Sequence, residues 1–148
     1  MKLERFFSNS FLVALILCIS SINVNAQFTA QGNGEWTNSA TWGGSAPPAT
    51  ITGFTTISIP AAFTVTMDTN ITVAASASLT VNGSLSDNAN THELEIESAG
   101  SLSGAGSIEV NEFTFNGGSV ISFIGDLEAD TVNSVGASIT LSADITAN

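Results

Sequence analysis

Of the 148 residues, 13 are Asp or Glu and 2 are Lys or Arg, giving a formal net charge of −11 at pH 7. Lys2 and Arg5 both lie at the start, so from Gln27 onward the chain has no Lys or Arg to grip a phosphate backbone or an anionic membrane surface. On that sign argument neither nucleic acid nor an anionic membrane is expected as a partner, while glycans, surface proteins and cations remain open.

The first element is a targeting segment. A short basic start leads into the apolar run Phe11 to Ile19, too short to span a bilayer, and Val24-Asn25-Ala26 places small residues where a signal peptidase reads them. Residues 1–26 are therefore expected to be a secretory signal peptide cleaved after Ala26, with the mature chain secreted or displayed on the cell surface. Cys18 follows Leu17 rather than Gly, Ala or Ser, which argues against lipidation there. Without another cysteine the mature chain has no disulfide framework, and its stability must come from packing and backbone pairing.

Residues 27–56 show no repeat. Trp36 and Trp42, followed by Gly43-Gly44 and Pro47-Pro48, suggest an N-terminal cap whose indoles close one end of a sheet; stacking of Trp36 and Trp42 on a glycan is the alternative. From there on the chain alternates with period two. Thr56-Ile57-Ser58-Ile59, Phe63-Thr64-Val65-Thr66-Met67, His92-Glu93-Leu94-Glu95-Ile96-Glu97 and Ile139-Thr140-Leu141 read as short strands with one buried face, separated by Gly, Asn, Ser and Asp.

Over residues 57–148 these strands recur. Ser78-Leu79, Ser101-Leu102, Ser119-Val120 and Ser138-Ile139 each follow Gly or Ala, about 18 to 23 residues apart. A second corner follows each: Gly83-Ser84-Leu85, Gly106-Ser107-Ile108, Gly125-Asp126-Leu127 and Ala143-Asp144-Ile145. Paired corners at this period predict an all-β fold, a right-handed parallel β-helix (β-solenoid) whose inward aliphatic residues stack from coil to coil. Because the chain stops just after a corner, the coils are expected to continue in downstream domains of a longer protein.

The order "GEWTNSATWGGSAPP…TTISIPAAFTVTMDTNITV…ASLTVNGSL" resembles the first module of large secreted proteins of Bacteroidetes, and is similar to an extracellular domain family named for its eight glycines. The matching positions are Trp42, Pro48, Ile57, Ile59, Val65, Asp68, Leu79, Val81, Gly83, Leu85 and Gly104, within roughly Gly34 to Val110. The resemblance implies a tryptophan-proline entry into parallel β-helix coils and export by type IX secretion, although no sorting domain is visible in this chain. It also implies O-glycosylation at Asp-Thr or Asp-Ser before an apolar residue, which Asp130-Thr131-Val132 matches at Thr131.

Catalytic residues are scarce. His92 is the only histidine, and Lys, Arg, Cys and Tyr are absent after Ala26. A serine nucleophile would need His92 with an orienting carboxylate, but strand alternation points His92 and Glu93 to opposite faces. No pair of carboxylates stands out for glycoside hydrolysis. Asp126, Glu128 and Asp130 alternate beside a corner and are the candidate ligands of a structural calcium ion; Glu93, Glu95 and Glu97 form a second row. No other cofactor is implied. The expected function is a non-catalytic extracellular module, serving as spacer, adhesin or binding scaffold. The alternatives are the accessory region of a secreted carbohydrate-active enzyme and, on the units Thr50-Ile51-Thr52 and Thr64-Val65-Thr66, an ice-binding solenoid.

Overall fold

The computed structural model describes residues 25–136 and the backbone of 144–146. Residues 1–24, most of the expected signal peptide 1–26, lie outside the described residues, as do the corner at Ser138 and the expected strand Ile139-Thr140-Leu141. Within them the fold is an all-β solenoid of parallel strands with one short 3-10 helix.

Three faces repeat along the chain. The first is a sheet of β1 (Gln27–Thr29), β4 (Thr56–Ile59), β7 (Ser78–Val81), β10 (Ser101–Gly104) and β12 (Val120–Phe123), in that spatial order. The second contains β2 (Gly34–Glu35), β5 (Thr64–Thr66), β8 (Ser84–Ser86), the front halves of β11 (Ser107–Asn116) and β13 (Asp126–Val135), and β14 (Asp144–Thr146). The third contains β3 (Thr50–Ile51), β6 (Ile71–Val73), β9 (Glu93–Ile96) and the rear halves of β11 and β13. From β11 on, one long strand turns the corner between the second and third faces.

Every recorded pairing is parallel, so identical register positions stack. Phe28, Ile57, Leu79, Leu102 and Ile121 form one inward column, and Val65, Leu85, Ile108 and Leu127 a second. Ile71, Leu94, Phe113 and Val132 form a third. Leu79, Leu85, Leu94 and Leu102 are fully buried, as alternation demands, and the columns merge into one apolar core. No single coil can bury its own inward residues, so stability resides in contacts between adjacent coils.

The corners show why small and amide residues recur. A Cβ on Gly106 would lie 1.9 Å from the Gly83 carbonyl oxygen, and one on Gly125 would lie 1.9 Å from that of Gly106. Only glycine lets each corner sit on the one before it. Beside the Gly83 corner and at two other bends an asparagine carbonyl accepts a backbone N–H from the following coil: Asn82 from Ala105 at 3.3 Å, Asn33 from Thr64 at 2.8 Å and Asn70 from Glu93 at 3.1 Å. Asn70 and Asn82, which begin the triplets Asn70-Ile71-Thr72 and Asn82-Gly83-Ser84 of the N-glycosylation pattern, are thus engaged in coil stacking.

Two sequence expectations are corrected. Residues 27–56 are not only a cap: β1, β2 and β3 pair in register with β4, β5 and β6, making this segment the first coil. Residues 36–49, inserted between β2 and β3, hide the repeat and carry the 3-10 helix Ser39–Trp42, capped by Asn38. At the fifth first-face strand, β12, Val120 rather than Ser119 aligns with Ser101. Val120 is accordingly exposed, and Ile121 takes the inward position that the sequence pattern assigned to Val120.

Candidate functional site

The most organised polar site is the turn from β8 to β9, residues 87–92. Asp87 follows β8 directly with its side chain fully buried, where an unpaired carboxylate would be costly. The turn supplies the donors. The backbone N–H groups of Ala89 (3.2 Å), Thr91 (2.6 Å) and His92 all donate to its carboxylate, and His92 Nδ1 lies 2.8 Å from Oδ1. Burial raises the Asp87 pKa, but the hydrogen bonds from the His92 side chain and from the His92 and Thr91 backbones, with the charge of His92, outweigh it. The carboxyl is held below its ordinary value.

Asp87 also fixes the imidazole, in the manner of the orienting carboxylate of a catalytic dyad. The other contact recorded for that ring is Thr91 Oγ1, 3.4 Å from the same Nδ1. That hydroxyl is therefore not presented to Nε2 as a nucleophile. Around the turn, Ser86 Oγ donates to Glu109 Oε2 and Asn88 Oδ1, both at 3.0 Å, and Asn90 Nδ2 donates to Asp130 Oδ2. The partner of His92 is thus Asp87, not Glu93 or Glu95. The stretch "SDNANTH" signalled a side-chain-capped turn by its composition, but not that its aspartate would be buried against the histidine.

Trp36 and Trp42 pack edge to face with centroids 5.2 Å apart, and Trp42 Nε1 donates to the Trp36 carbonyl at 2.8 Å. Trp36 is 0% exposed and Trp42 5%. Both indoles are thus buried in the first coil, and neither ring offers a face to a sugar. Trp42 does border a shallow open groove of about 330 Å³ with Gln27, Phe28, Thr29, Gln31 and Ser45.

Asp126 and Glu128 point outward from β13, and Asp130 is exposed at its bend, tied to Asn90 across two coils. Among the described residues no three His, Cys, Asp or Glu side chains are grouped to hold a metal ion. The cause is the strand itself, which spreads alternate carboxylates along a face. Thr131 is exposed beside Asp130 and reachable from solvent. Thr50 lies on β3 and Thr64 on β5, strands of different faces, so the two Thr-x-Thr units share no row.

The first face carries a hydroxyl array instead. Thr29, Ser58, Thr80, Ser103 and Ser122 share one register row, and Thr56, Ser78 and Ser101 another. Ser78 Oγ donates to Thr56 Oγ1 at 3.2 Å, and the Thr80 and Ser103 hydroxyls lie 3.0 Å apart. None of the five strands of this face contains a charged residue, whereas the other two faces carry the acidic side chains. Comparison with protein-family models, curated proteins and solved structures gives no match.

Proposed function

We propose that this chain is a non-catalytic extracellular solenoid module, a spacer and binding scaffold whose uncharged first face meets neutral partners such as glycans or surface proteins. The carrying observation is the charge asymmetry of the coil: five strands in register present small hydroxyls on one face, while carboxylates occupy the other two. A neutral hydroxyl face desolvates at far lower cost than a carboxylate face. The acidic faces repel polyanions and keep the module hydrated and apart from its neighbours.

The filled interior supports a mechanical role, since stacked side chains occupy the space that a buried substrate would need. Secretion through the signal peptide, with glycosylation of Thr131, fits the same reading. The test uses residues 27–148 against a panel of insoluble neutral polysaccharides and glycans, with turnover assayed in parallel. Binding is expected to fall at least about tenfold in the variant Thr80→Asp/Ser103→Asp, because two desolvated carboxylates would then face the partner. Binding that survives this variant would move the contact to another face. Turnover abolished by His92→Ala would overturn the non-catalytic reading.

A further inference from the structure

On the third face one hydroxyl is buried where strand alternation calls for exposure. Thr114 lies between the inward residues Phe113 and Phe115 of β11 and therefore points outward, yet it is only 8% exposed and its Oγ1 has no hydrogen-bond partner. A pleated sheet sets four positions around such an outward residue. Glu112 and Asn116 stand two places away on β11, and Glu95 of β9 and Asn133 of β13 stand alongside in register.

These neighbours are tied in two diagonals. Asn116 Nδ2 donates to Glu95 Oε1 at 2.9 Å, and Asn133 Nδ2 donates to Glu112 Oε1. Each carboxylate keeps its Oε2, and each amide keeps its oxygen. Glu93 lies directly opposite Glu112 in the pairing, a like-charge contact that destabilises a sheet unless something offsets it. The chain has no Lys or Arg after Arg5 with which to do so.

We propose that Glu95, Glu112 and the Thr114 hydroxyl, with the amide oxygens of Asn116 and Asn133, form a binding site for calcium. The set consists of hard oxygen donors, mixed in type and anionic in sum, which suits a calcium ion better than magnesium with its strict octahedral demand. The unpartnered lone pairs of Thr114 gain a ligand, and the facing glutamates gain a counter-charge. The site is distinct from the Asp126, Glu128 and Asp130 row and uses only two carboxylates.

The test takes residues 27–148, stripped with a chelator, through calcium titration by calorimetry and thermal unfolding, with potassium chloride at matched ionic strength as reference. Wild type is expected to bind one equivalent in about the 0.1–1 mM range of weak extracellular sites, with a rise in Tm that potassium does not reproduce. Thr114→Val removes the buried hydroxyl at nearly constant shape. It is expected to raise Tm in chelator, because an unsatisfied group is gone, and to weaken calcium binding about tenfold. Glu95→Gln/Glu112→Gln is expected to abolish binding. If that variant fails to fold, Thr114→Val alone decides. Absence of saturable calcium binding by wild type would overturn the proposal, as would unchanged affinity in Thr114→Val. A Thr114→Val protein less stable than wild type in chelator would also overturn it, since the hydroxyl would then already have a partner.

Discussion

At Asp87 one carboxylate organises a whole turn, because three backbone N–H groups and an imidazole converge on it where strand pairing has ended. Asp87→Ala would leave those donors unpaired, at about 1–3 kcal/mol for each that cannot reach water, so a loss of about 3 kcal/mol in urea unfolding at pH 7 is expected. Asp87→Asn is the sharper probe, since its amide N–H₂ mimics the protonated acid and faces the converging donors. The folded-state pKa of Asp87 lies below its ordinary value, so the stability it contributes is present above the unfolded value of about 3.9 and is lost as pH falls through the folded value. The gap between wild type and Asp87→Asn should thus be wide at pH 7 and close in acid. A gap unchanged down to about pH 2 would show that the charge of Asp87 is not what holds the turn.

At the scale of the element, legibility followed what repeats. The Gly-Ser-apolar corners announced the stacked columns, and the structure sets Ser84, Ser107 and Asp126 in one register row as that pattern required. The slip by one residue arose because Val120 and Ile121 are both aliphatic and either suits the inward position; only the pairing of Leu102 with Ile121 separates them. The first coil was hidden because the inserted 36–49 loop breaks the period, and its strands β2 and β3 are two residues each. The polar sites were less legible still. Which outward side chains meet, as Asp87 meets His92 and Glu95 meets Asn116, depends on turn geometry and register that alternation leaves open. The glycine corners yield a direct prediction. Gly106→Ala would drive a Cβ into the Gly83 carbonyl, which is backbone and cannot swing aside. A loss of about 1–3 kcal/mol is expected from such overpacking, read as a lower urea midpoint at unchanged m-value. Ser122→Ala, exposed on the outward side of β12, serves as the control and should stay within about 0.5 kcal/mol of wild type.

For the whole molecule the dominant long-range term is self-repulsion. The formal net charge is −11 at pH 7, and parallel stacking sets like charges side by side, Glu93 opposite Glu112 and Glu109 opposite Glu128. A solenoid multiplies such contacts because each coil repeats the geometry of its neighbour, whereas a less regular fold scatters its charges. Salt should therefore stabilise this protein through screening alone. Between about 0.01 and 0.15 M monovalent salt the Debye length falls from about 30 to about 8 Å, which mutes repulsion between faces while leaving adjacent pairs partly felt. With about 0.2–1 kcal/mol for each facing pair, residues 27–148 are expected to gain about 2–6 °C in Tm over that range, measured by circular dichroism in sodium or potassium chloride. The gain should be the same for the two salts and persist in Thr114→Val, which separates general screening from an ion held at one site. A Tm that stays flat or falls as salt is added would mean that the facing carboxylates are neutralised or spread further apart than their register implies, and the charge asymmetry between faces would then lose its energetic weight.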